Sequence, residues 1–104
     1  MLLSTTDKIE NMNIVEYKGL VFGEVVNGVD MIKDFAASIR DAFGGRSATY
    51  EKEVVETRGN AILEMVERAE KLDANAIVGI KIDYETIGQS MMMVIASGTA
   101  VKVE

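Results

Sequence analysis

Hydrophobic and polar positions along this chain follow two periods, one near two residues and one near 3.6. From Ile14 to Val26, Val15, Tyr17, Val21 and Val25 share one face, with Gly19 and Gly23 between them. Glu16, Lys18 and Glu24 lie on the other face, together with Leu20 and Phe22. That alternation predicts a half-buried strand, and its two glycines mark a bend, a bulge or a close approach of another backbone. Leu2 to Thr5 reads as a short strand, and the polar stretch Asp7 to Asn13 as a loop. After Asn27-Gly28 the period changes. Met31, Ile32, Phe35, Ala36, Ile39, Ala42 and Phe43 recur at helical spacing, with Lys33, Asp34, Arg40 and Asp41 opposite. Asp30 is suited to cap that helix, and Gly44 to stop it in a left-handed conformation.

A second helical pattern follows, with Ser47 as its cap and Glu51 in its first turn, where a negative charge suits the helix dipole. Its apolar positions are Tyr50, Val54, Val55, Ala61, Ile62, Met65, Val66, Ala69 and Leu72. One helix from Ala48 to Leu72 is about 37 Å long at 1.5 Å per residue, longer than the usual diameter of so small a domain. Gly59-Asn60 interrupts the pattern, but one glycine costs only about 1 kcal/mol in a helix interior. Either the helix breaks near Gly59-Asn60 or its end packs on another subunit, and a continuous helix with a bend is the favoured reading.

Asp73 to Asn75 is the turn back to strands. Ala76 to Ile87 alternates, with Ala76, Val78, Ile80, Ile82 and Tyr84 on one face and Lys81, Asp83 and Glu85 on the other. Gly88-Gln89 reads as a hairpin turn into a last strand, Met91 to Val103. The first half of that strand is apolar on both faces: Met91, Met93 and Ile95 on one, Met92, Val94 and Ala96 on the other. A strand with no polar face is central and covered on both sides. One layer of helices covers one side, so the other needs a cover from outside the chain, and a second copy is the simplest. The expected fold is a single α+β domain over 1–104: an antiparallel sheet with two helices on one face, in the order β-β-α-α-β-β.

Composition removes most chemistry. The 104 residues include no Cys and no His. Thiolate nucleophiles, disulfides, Cys-based zinc sites and imidazole acid/base catalysis are therefore out of reach. Any metal must be held by carboxylate, backbone or hydroxyl oxygen, or by Met sulfur. A net charge of −6 with scattered basic residues disfavours nucleic acid. No apolar run approaches a membrane span, and the N-terminus MLLSTTDKIENM has neither a basic start nor a long apolar stretch. The expectation is a cytoplasmic protein with no signal peptide, no membrane partner and no cofactor.

Four constellations carry candidate chemistry. Gly44-Gly45-Arg46-Ser47 reads as an anion cradle at a helix start, or as a helix stop followed by a cap, which fits ordinary capping chemistry better. Arg58 projects into the apolar stripe of the long helix, with Glu51 on nearly the same line, and a buried arginine needs a partner. It marks an ionic site or, the favoured reading, a paired charge at a helix or subunit contact. Lys81, Asp83 and Glu85, with Glu16, Lys18 and Glu24, offer carboxylates to a hard cation, although such a row is more often a wetted sheet face. Met91 and Met93 alternate away from Met92, so the three sulfurs cannot converge on one ion, and packing explains them better. No nucleophile–base pair presents itself.

The stretches GGRSATYEKEV, NAILEMVERAEKLDANAIVGIKIDYETIG and MMMVIASGTAV resemble the YbjQ-type family of small bacterial and archaeal proteins, which carries a heavy-metal-binding label. The resemblance extends over nearly the whole chain. Asp73 departs from it where Gly is expected, as do Gly59 and Asn60 inside the helix. It implies an α+β fold and a ring-shaped homo-oligomer, a pentamer, with the GGRS turn close to a subunit contact. The metal label sits poorly with a chain lacking thiolate and imidazole. Three functions follow as expectations: a non-enzymatic oligomeric binding or scaffold protein, a metal binder using inter-subunit carboxylates such as Asp83 and Glu85, and a small-molecule enzyme at a subunit boundary using Arg46 or Arg58.

Overall fold

The chain's partition into elements follows the two periods closely. The computed structural model describes residues 1–27, 46–87 and 91–104, with the backbone alone over 46–51. The elements are β1 (Leu2–Leu3), β2 (Ile14–Asn27), α1 (Arg46–Lys71), β3 (Ala76–Ile87) and β4 (Met91–Val103). The strands form one sheet in the order β1-β3-β4-β2. β4, apolar on both faces, is interior as expected, antiparallel to β2 on one side and to β3 on the other.

Two parts of the expected architecture are corrected. The sheet is mixed rather than antiparallel, because Leu2 and Leu3 pair in parallel with Ala76 and Ile77. Both edges of β4 are already used, so the N-terminal strand pairs with the outer edge of β3, where Ser4 N–H also donates to the Ile77 carbonyl at 3.0 Å. The described elements run β-β-α-β-β with one helix, not β-β-α-α-β-β with two. The predicted helix Asp30 to Phe43, together with Gly44, Gly45 and the turn at Gly88-Gln89, lies outside the described residues.

α1 runs through Gly59-Asn60 without a break for 26 residues. It begins at Arg46, so Ser47 lies within its first turn rather than capping it, and Glu51 falls in the second turn. Its end is a Schellman closure. Ala74 N–H bonds the Ala69 carbonyl and Asp73 N–H the Glu70 carbonyl, with Asp73 left-handed at φ 62°. That explains why glycine is the expected residue at Asp73. Asn75 then docks its side chain on the end of β4, donating to the Val103 carbonyl and accepting from Val103 N–H.

The helix buries Thr57, Ala61, Met65 and Ala69, one stripe at four-residue spacing. Against it lie Val21 of β2, Ile77 of β3 and Val94, Ala96 and Ala100 of β4. Thr57 and Asn27 are buried polar groups that satisfy each other at 3.0 and 3.2 Å. Helix and sheet meet most closely at Gly23, where an added Cβ would overlap the Ala61 carbonyl oxygen and stand 2.8 Å from the Met65 amide nitrogen. A smaller cluster on the opposite face joins Ala76, Val78, Val101 and Val103 to Ile9, Met12 and Ile14. The loop before β2 thus covers one end of that face.

Bulges break the predicted alternation in three places. β2 slips between Ile14 and Glu16 and again between Tyr17 and Gly19, so Tyr17 and Val21 point to opposite faces. β3 slips between Val78 and Lys81, with Gly79 left-handed at φ 63°. A glycine in that conformation is the signature of a bulge that inserts one residue. Ala76 and Val78 consequently join the small cluster, while Ile77, Ile80 and Ile82 turn to the helix.

One sheet edge is covered by side chains of α1. On β2, the Phe22 carbonyl accepts from Arg68 Nη1 at 2.6 Å, and Glu24 N–H donates to Glu64 Oε1 at 3.5 Å. Arg68 and Glu64 are themselves paired at 2.7 Å, one helical turn apart. These outward backbone groups are thereby withheld from another strand.

Two outcomes follow. Gly23→Ala is expected to destabilise the fold by about 3 kcal/mol or more, since backbone must move on both sides, read as a lower midpoint in urea unfolding. Arg68→Ala is expected to lower stability by no more than about 1 kcal/mol yet to hasten heat-induced aggregation in light scattering, because it uncovers the β2 edge.

Candidate functional site

The half of the sheet face opposite α1 that is not covered by the Ile9–Ile14 segment is the largest arrangement of functional interest. Strand register places its side chains in rows. Phe22, Ser97 and Lys81 form one row, Glu24, Ile95 and Asp83 the next, and Val26, Met93 and Glu85 the third. Leu20 stands beyond them opposite Thr99 and is 72% exposed. Phe22, Val26 and Ile87 on this face are also exposed. The centre of the surface is therefore apolar, with carboxylates on the flanking strands.

Asp83 and Glu85, the weak metal candidates, do share this face. Asp83 Oδ1 lies 3.6 Å from Lys81 Nζ, an ion pair open to water. Glu24 is in the same row as Asp83, but β4 separates their strands, so their backbones are about 9.5 Å apart at two strand spacings. Among the described residues no three His, Cys, Asp or Glu side chains gather closely enough to hold a metal ion. Glu16 is paired with Lys18 at 3.0 Å, and the bulge beside it puts Glu16 on the helix side of the sheet, away from Asp83. Met92 packs into the helix-side core, and Met93 faces the other way, as alternation requires.

Arg58 is beside the buried stripe of α1 rather than in it. The stripe runs along Thr57, Ala61, Met65 and Ala69, which turns Arg58 toward β3. There Nη1 donates to Tyr84 Oη at 3.5 Å, and among the described residues no carboxylate lies within 4.0 Å of it. Arg46, Ser47 and Glu51 are on the first turns of α1, so Glu51 is nearly two turns from Arg58 along the helix. Gly44 and Gly45 lie outside the described residues.

Two hollows are lined by described residues. One, of about 680 Å³, is bounded by the N-terminal segment from Leu2 to Glu10. Its hydroxyls are spent on shaping the turn: Thr6 N–H donates to Ser4 Oγ, and Thr6 Oγ1 donates to the Lys8 carbonyl at 2.6 Å. The other, of about 230 Å³, lies between α1 and β3, with Leu3, Ile62, Ile80 and Ile82 on its walls. It opens onto a flank of α1 carrying Val55, Gly59, Ile62, Leu63 and Val66, where Val55 is 51% and Leu63 60% exposed. The apolar positions that helical spacing picks out in the sequence include Val55, Ile62 and Val66 of this flank but not Leu63.

The comparisons with known proteins agree with one another. The YbjQ family model, described as "Putative heavy-metal-binding", matches residues 1–104. A UPF0145 protein of Acetivibrio thermocellus is 58% identical over all of both chains, and one of Clostridium botulinum is 57% identical over the same extent. One from Bifidobacterium longum is 50% identical over 99% of this chain and 96% of its own. A crystal structure from Pediococcus pentosaceus, of a protein of unknown function in the DUF74 family, shares the fold with a TM-score of 0.60. It is 16% identical and covers 100% of this chain and 98% of its own. On a full-length family match and whole-chain identities above one half, this protein belongs to the YbjQ family, the UPF0145 proteins.

Proposed function

We propose that this chain is the subunit of a homo-oligomeric ring in the cytoplasm, a binding or scaffold protein whose working surface exists only once copies assemble. The observation that carries this reading is the apolar sheet face around Ile95, where Leu20, Phe22 and Val26 stand exposed. Contiguous apolar surface of that kind marks an interaction site. A second apolar surface, on α1 at Val55 and Leu63, differs from the first in shape and composition. Two unlike surfaces on one chain make head-to-tail contacts, which close into rings when the rotation permits. Five copies is the number the family resemblance implies.

A second reading takes the family's heavy-metal description at its word. Glu24, Asp83 and Glu85 share the exposed face, and carboxylates from neighbouring copies would complete an oxygen site for a hard cation. The ion suited to such donors is not a soft heavy metal.

Native mass spectrometry and sedimentation velocity of the untagged protein are expected to show one closed oligomer. Leu20→Asp is expected to weaken association at least about tenfold, one charge on the apolar face costing upwards of about 1.4 kcal/mol. A wild-type chain that stays monomeric at micromolar concentration rejects the ring. Elemental analysis of the same preparation decides the metal reading: no stoichiometric metal, and no thermal stabilisation by any added ion, ends it.

A further inference from the structure

Among the described residues, nothing in the chain requires a glycine at position 59. A side chain there would meet nothing within 4 Å, and glycine weakens the middle of a 26-residue helix. Val55 and Leu63 stand one turn to either side, both more than half exposed. The glycine is thus a notch in an otherwise continuous apolar ridge. Beside the notch is Arg58, whose one side-chain contact among the described residues is a long one, to the Tyr84 hydroxyl at 3.5 Å.

The uncovered sheet face has the complementary features. Along β2, Leu20, Phe22 and Val26 alternate with a single charge, Glu24. No cation among the described residues pairs with it. Leu20 to Val26 spans about 20 Å of strand, and Val55 to Val66 about 16 Å of helix, so ridge and strand are matched in length. One surface is apolar around a cation, the other apolar around an anion, neither in an ion pair among the described residues, and the two surfaces lie on different sides of the described sheet and helix.

We propose that the open sheet face of one copy seats on the α1 flank of the next, with Phe22 over the Gly59 notch and Glu24 paired with Arg58 across the contact. This rests on the self-assembly reading and adds to it which surfaces meet. Apolar area alone is not directional. An Arg–carboxylate pair in a partly dried contact fixes register and penalises other arrangements through unpaired charge.

The test is a charge reversal read by sedimentation velocity. Arg58→Glu and Glu24→Arg are each expected to weaken association at least about tenfold, and the double variant to recover most of the loss. Lys71→Ala on the same helix is the control and is expected to leave association unchanged. Gly59→Leu fills open space in the lone chain, so far-UV circular dichroism is expected to stay native while the oligomer dissociates. A wild-type oligomer that survives both Arg58→Glu and Gly59→Leu overturns the seating and leaves the ring standing. A double reversal no better than either single change overturns the pairing. A monomeric wild type removes the ring and this contact together.

Discussion

The approach of α1 to β2 at Gly23 sets the rest of the molecule. No side chain fits between that residue and the Ala61 carbonyl, so the helix axis is drawn over β2 and β4 and away from β3. Glu64 and Arg68 come within reach of the β2 edge for that reason, and bond Glu24 N–H and the Phe22 carbonyl. On the far side the displacement leaves β3 under-covered, and the hollow walled by Leu3, Ile62, Ile80 and Ile82 is the result. One contact thus closes one edge of the sheet and exposes the opposite flank of the helix.

Much of this was legible in the sequence because long periodic segments reveal their own type. Residues 76–87 and 91–103 are the strands that alternation predicts, and β4 is central because it has no polar face. Faces were less legible than elements. Each bulge reverses alternation downstream: Gly19, one of the two glycines that marked a bend, bulge or close approach, is at the second slip of β2, Gly23 is the close approach, and Gly79 marks the slip in β3. The parallel seat of β1 was beyond a local reading, since it depends on which edge remains vacant after two long-range pairings. Arg58 was placed one position too deep, because Thr57, a polar residue buried through Asn27, occupies the line that hydrophobicity alone assigned to its neighbours.

The carboxylates show how a residue pattern and a site differ. Asp83 and Glu85 sit on the expected face, yet Glu24 is across β4 and Glu16 is turned away by a bulge. Within one copy the exposed-face acids are spread over two strands with Ile95 and Met93 between them. A row of acids on a sheet is a wetted surface until something brings a second set of oxygens opposite the first. Among the described residues, cation binding by these acids is therefore conditional on assembly, and their oxygen donors suit hard ions.

Exposed apolar surface on a β protein invites two kinds of association, and the edges decide between them. Strand addition propagates without limit, because each added strand presents a new edge. At β2 that route is obstructed by the Glu64–Arg68 pair, whose own ion pair keeps both side chains over the strand. Face-to-flank contact adds no strand and consumes one surface of each copy. Repeated with a constant rotation, it ends when the last flank meets the first face. Guarding the β2 edge at Phe22 and Glu24 turns that side of the sheet away from strand addition and leaves face contact as its remaining route.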